Sequence, residues 1–274
     1  MKQHTPFILI LIFSLNLIFC LTVRAQEFSL GVKAGPIVSL SVIADKFDRE
    51  AFSQRLKLGY GGGGLISFPL KDNYYFVVEG GLSQRGRKIL SNDDTWTNIS
   101  TYYFADASML LRKAFPFQLK QNIPSKWFVN VGPHISYWMG GRGKIGTTKL
   151  QEYTIVFEPM PVQPPGTGAD FDKMYYSDIN RWLFGVDIGV GFIAPLKRKQ
   201  KIMTELRFTS GHTFYGNTNS AQWRTLGFSD NLRANEKFLT ISAAYIFEFN
   251  LKEGKMGKST KDKEMKRKSG KRRR

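Results

Sequence analysis

In RWLFGVDIGVGFIAPL, residues 181–196, large apolar residues take turns with small ones. Trp182, Phe184, Val186, Ile188, Val190 and Phe192 hold one set of alternate positions; Leu183, Gly185, Asp187, Gly189 and Gly191 hold the other. Side chains on a β-strand alternate faces with period two, so this stretch is a strand with one bulky apolar face and one nearly bare face. The same period predicts eight strands, at 27–36, 57–68, 74–86, 101–113, 126–138, 181–194, 200–212 and 237–249. Each is about the 9 to 11 residues, plus ends, that a tilted strand needs to cross a bilayer. No helical pattern of comparable strength intervenes.

The connections alternate in length. Those after the second, fourth and sixth strands are short (PLKDN, AFPFQLKQNIPS and PLKRK), whereas the others span roughly 20, 14, 42 and 24 residues. Short turns at one end and long loops at the other are the layout of an outer-membrane barrel. The predicted fold is therefore all-β: an eight-stranded antiparallel transmembrane β-barrel of outer-membrane type. An even strand count puts both termini at the short-turn, periplasmic end and the long loops outside.

A barrel of eight strands has an interior only wide enough for side chains to fill, so its inward positions must often be small. Gly31 and Gly35, then Gly59, Gly61 and Gly63, fall on inward faces. Charges follow the same parity: Lys33, Glu79, Arg85, Asp106, Arg112, Asp187, Glu205 and Arg207 point inward, four of each sign. A narrow, poorly solvated lumen tolerates charges only when they are paired and hydrogen-bonded, so these eight are predicted to form one lumen network. Trp127, Tyr137, Trp182, Tyr245 and Phe249 lie near strand ends, where barrels carry aromatic girdles.

The ends of the chain add compartment and charge. Residues 1–25 combine a short polar start, an apolar run and Val23-Arg24-Ala25, which reads as a cleaved secretory signal peptide. Cys20 is the single cysteine, so the mature chain relies on neither disulfides nor thiol ligands. The net charge of +18 is concentrated in residues 251–274, which hold 12 Lys/Arg against 3 Asp/Glu. Behind a signal peptide this segment is expected to be a disordered basic periplasmic tail, suited to anionic lipid or an acidic partner and not to nucleic acid. The barrel itself is expected to occupy residues 26–250, in outer-membrane lipid.

Five stretches resemble the PorT-type outer-membrane β-barrel family of Bacteroidota: LGVKAGPIVSL, FVVEGGLSQRGRK, YYFADASMLLRK, FVNVGPHISYW and LTISAAYIFEF. The likeness covers most of residues 26–250, and departs from the family at Asp106 and Ser108, where a glutamate and then a proline usually stand. It implies an outer-membrane barrel. Founding members of that family are linked to type IX secretion, which makes an accessory role in such an envelope complex an expectation.

Chemistry for catalysis is sparse. His134 should point into the lumen as a hydrogen-bonded residue, while His212 follows Ser210 at a strand end, with Asp178 and Asp230 as conceivable acids. No metal site or cofactor is expected from two mature histidines, and GYGGGG at 59–64 lacks the lysine and helix of a phosphate loop. The longest predicted loop, 139–180, carries Phe171, Tyr175 and Tyr176. Two readings stand for it: a loop folded over the barrel mouth, or an exposed contact site for an extracellular ligand. The leading expectation is a non-enzymatic structural or interaction protein. The alternatives are a hydrolase at the outer rim and a soluble, lipocalin-like carrier whose bulky faces line a pocket.

Overall fold

The computed structural model describes residues 27–250 apart from 92–95, 119–123, 148, 160–171, 198, 218–220 and 224–227. The predicted signal peptide, the basic tail and Phe171 lie outside the described residues. The elements are β1 (Glu27–Ile43), α1 (Lys46–Ala51), β2 (Phe52–Arg55), β3 (Lys57–Pro69), β4 (Tyr74–Ser91), β5 (Thr97–Gln118) and β6 (Pro124–Gly146). They continue with β7 (Gln151–Val156), β8 (Lys173–Tyr176), β9 (Trp182–Lys197), β10 (Gln200–Gly211), β11 (Ala221–Trp223), β12 (Phe228–Asp230) and β13 (Ala234–Asn250).

Eight long strands close an antiparallel barrel in the order β1-β3-β4-β5-β6-β9-β10-β13, with β13 returning to β1 from Glu27↔Asn250 to Ile43↔Ala234. Each predicted strand lies within one of these to within a residue. Among the described residues no helix is long and apolar enough to cross a membrane, so crossing falls to the strands. The turn after β3 is tight because Asp72 and Asn73 both take left-handed φ values, 56° and 61°, which matches the right-handed twist of the strands it joins. Lys113 lies at the same end. Its ammonium group donates to the Asp72 carbonyl at 2.6 Å and sits over the Tyr74 ring.

Four strands run further at the long-loop end than the alternation indicates. β1 continues to Ile43, β4 to Ser91 and β6 to Gly146, while β5 starts at Thr97. The predicted loop 139–180 is also more regular than expected. β7 pairs antiparallel with β6, β8 lies parallel to β7, and β11 and β12 extend the sheet.

The face assignment follows lipid. Trp182, Phe184, Ile188 and Val190 are all on the outer surface, with Ile188 59% exposed, so the bulky face of β9 lines no internal pocket. This excludes the lipocalin-like arrangement. Aromatic pairs stand near both ends of the band: Phe28–Phe249 and Phe115–Trp127 near the short turns, Tyr137–Trp182 near the long loops.

Two apolar clusters fill the interior. One, at the short-turn end, includes Leu65, Val77, Leu110, Phe128, Met203 and Ile246. The other, at the long-loop end, is built around Trp138, whose ring lies 4.7 Å from Tyr102, 5.1 Å from Phe157 and 5.3 Å from Tyr215. Tyr175 and Tyr176 correct one expectation. Pairing of β8 with β7 and β11 folds them inward, where both are buried and Tyr176 packs on Trp138 at 5.6 Å. They are part of a cap over the barrel mouth and cannot serve as exposed ligand contacts.

Candidate functional site

Between the two apolar clusters lies a polar layer made of inward positions on the barrel strands. Near the short-turn side, Arg207 on β10 is the hub. It donates from Nη2 to Glu79 at 2.9 Å and from Nε to Glu205 at 2.6 Å, and its Nη1 lies 3.3 Å from Asp187. Lys33 adds a second cation, paired with Glu79 and lying 3.7 Å from Glu205. Arg112 stacks on the Phe128 ring at 4.1 Å, with Glu205 and Glu79 as its facing acids.

Towards the long loops, Arg85 is held between two rings, 3.9 Å above Phe104 and 4.4 Å from Phe238. Its Nε donates to Glu236 at 2.7 Å and its Nη1 to Asp106 at 3.0 Å. All eight charges expected in the lumen are thus on inward faces and in contact or facing one another. Two members escaped the sequence reading. Glu236 lies one residue before the predicted last strand, and Arg87, buried with its Nη1 on the Asn231 carbonyl, lies one past the predicted third.

The glycines of β9 have specific tasks. A Cβ on Gly189 would stand 2.3 Å from Asn130 Oδ1, and one on Gly191 would stand 2.3 Å from the Phe128 ring. These residues are bare because Asn130 must reach Glu205, at 3.0 Å, and because Phe128 must lie under Arg112. The pattern that makes RWLFGVDIGVGF conspicuous is the imprint of charged neighbours on adjacent strands.

His134 is fully engaged. Its Nδ1 meets Ser108 at 2.9 Å and Asp187 at 3.3 Å, and its Nε2 meets Ser136 at 2.8 Å. Ser108 and Thr209 in turn donate to Asp187, at 2.8 and 2.6 Å. A cavity of about 80 Å³ adjoins this group, bounded by Lys33, Glu79, Asp106 and Asp187 on one side and glycines of β3 and β4 on the other. That is space for a few waters. At the rim, His212 is exposed and its backbone N–H donates to the Phe184 carbonyl. Among the described residues no hydrogen bond joins Ser210, His212 and Asp178, and no group of His, Cys, Asp and Glu is placed to hold a metal ion.

Above the lumen, Tyr215 is buried in the cap. Burial first, and the nearby Glu236 charge second, push its phenol well above the usual tyrosine range.

A closed barrel with an apolar outer band and an ion-paired interior defines a transmembrane protein of the bacterial outer membrane. The chain belongs to the family described as outer membrane protein beta-barrel domain, whose model matches residues 24–213. Among solved structures it is similar to OprG of Pseudomonas aeruginosa, at 9% identity and a TM-score of 0.46, over 83% of this chain and 98% of that one. It is also similar to Ail of Yersinia pestis (10% identity, TM-score 0.32, 81% and 99% covered) and to the outer membrane protease OmpT of Escherichia coli (10%, 0.40, 84% and 99%). No curated protein matches it.

Proposed function

We propose that this barrel is a non-enzymatic structural or interaction protein of the envelope, with its long loops outside the cell and both termini in the periplasm. One observation carries the reading: the lumen is charge-paired in the middle and sealed by apolar clusters at both ends. A solute would have to disrupt Trp138 and its neighbours, then a buried ion-pair network, then the Phe128 cluster. The work of the molecule therefore falls to its surfaces. The regular alternation of short and long connections supports the orientation, because outer-membrane barrels keep their short turns in the periplasm.

The five PorT-like stretches support a finer placement among Bacteroidota envelope proteins, with the basic segment 251–274 reaching a periplasmic or secretion-complex partner. The two parts of the reading have separate tests. Reconstituted into a planar bilayer, the full chain is expected to show no steady conductance; a stable open channel would overturn the sealed-lumen reading. Chemical crosslinking in cells, with and without residues 251–274, tests the tail. The expected result is a crosslinked envelope protein that disappears on truncation while the barrel still reaches the outer membrane. An unchanged crosslinking pattern and undisturbed type IX cargo export would reject the accessory role.

A further inference from the structure

Just beyond the apolar band, one sector of the outer wall is strongly basic. Strand pairing sets Arg55 of β2 beside Lys88 of β4, Lys88 beside Ile99 of β5, and Ile99 beside Lys144 of β6. Neighbouring strands are about 4.8 Å apart, so these residues form a short row along one height of the wall. Arg142 stands two residues from Lys144, level with Thr101 and Thr154.

Among the described residues, one salt bridge involves this row. Glu152 is bound to Lys144 at 2.6 Å and also faces Arg142. Among the described residues Arg55, Lys88 and Arg142 form no salt bridge, and Arg55 and Arg142 are exposed. Below them the wall turns apolar, through Leu58, Tyr60 and Leu82, each more than 60% exposed. At the same end of the barrel, the far wall carries Ser210, His212 and Trp182, and its charged side chains include Arg181, Arg233 and Lys237, the two arginines lying over the rings of Tyr137 and Phe214. What sets this sector apart among the described residues is a row of cations directly above an apolar wall, at the height where a bilayer passes from acyl chains to headgroups.

Mutual repulsion among three cations costs stability unless an anion sits between them, and lipid phosphates are anions available at this height. We propose that Arg55, Lys88 and Arg142 bind the phosphate groups of an outer-leaflet glycolipid, whose acyl chains lie on the apolar wall below. The outer-leaflet source rests on the orientation proposed above; the phosphate chemistry does not. The site fixes one lipid on one side of the barrel and so gives a nearly cylindrical molecule a lipid-defined front.

The test uses the full chain, stripped of lipid in neutral detergent, with binding read by native mass spectrometry. The probes are bisphosphorylated lipid A, the same lipid A without phosphates, and inorganic phosphate as competitor. R55Q/K88Q/R142Q is compared with wild type and with K113Q/K237Q, which removes cations elsewhere on the wall. The expected result is at least a tenfold loss of lipid A binding in the triple variant, and for the dephosphorylated lipid on wild type, with the control variant unchanged. Equal binding by the triple variant or by dephosphorylated lipid A overturns the site. So does displacement by inorganic phosphate at the lipid's own concentration, which would mark a free-anion site.

If the triple variant lacks the gel shift of a folded barrel, wild type decides the matter. Raising sodium chloride from about 50 to about 500 mM should weaken lipid A binding at least tenfold, because salt screens exposed charges; salt-independent binding overturns the proposal. Orientation is checked separately with T147C, at an exposed position just past β6, labelled on intact cells by a membrane-impermeant maleimide. Labelling only after permeabilisation overturns the outer-leaflet source, while the binding measurements decide the phosphate site itself.

Discussion

At the scale of single residues, the interior is a set of obligations among neighbours. Arg207 serves three carboxylates at once, so Arg207→Met leaves Glu79, Glu205 and Asp187 facing one another in a space they cannot leave. Removing one partner of such a buried group costs about 3–5 kcal/mol, and urea unfolding of the refolded barrel should show a loss of that order. Gly191→Ala is expected to cost about 1–3 kcal/mol, because its Cβ would stand 2.3 Å from the Phe128 ring and 2.4 Å from the Thr204 carbonyl oxygen, so the ring must tilt away from Arg112 and the backbone of β10 must shift. Tyr215 gives a pH signature. Its phenol is held neutral in the folded protein, so the folded state keeps a proton that the unfolded chain releases near pH about 10. Stability should fall as pH rises beyond that value, and Tyr215→Phe should flatten the slope in alkaline melts. Most of the charge network was legible in the sequence, because parity on a strand tells inside from outside. Glu236 and Arg87 were missed because the alternation fades where both faces of a strand leave lipid.

At the scale of elements, the wall and the cap differ in how plainly the sequence declares them. Within the bilayer every outward residue faces the same apolar solvent, so period two is written along each strand and all eight were readable. Beyond it, both faces of the continuations of β1, β4, β5 and β6 have left lipid and the alternation fades, and a short strand such as β8 carries no pattern of its own. The tyrosines of β8 looked exposed because their burial depends on β7 and β11, which lie far away in sequence. The barrel does not need this cap to close, since β6 pairs directly with β9 from Lys126↔Ile193 to Tyr137↔Trp182. Replacing residues 149–178 with a short flexible linker should therefore leave the heat-dependent gel shift intact. The emission of Trp138 should move to the red as its ring loses Tyr176 and Phe157. Loss of the gel shift would show that the cap is needed for closure.

At the scale of the whole molecule, the barrel is filled by two apolar clusters and the ion-paired layer between them. Its closing seam has a further consequence. Because Glu27 stands opposite Asn250 and the pairing of β1 with β13 runs through to Ile43↔Ala234, the first and last strands are as fully joined as any other pair. In three dimensions the wall is a ring without a beginning. A circular permutant that links residues 27 and 250 through a short bridge and opens the chain at the Asp72–Asn73 turn would keep every pairing along the wall. The order in which strands leave the ribosome would change, and the finished object would not.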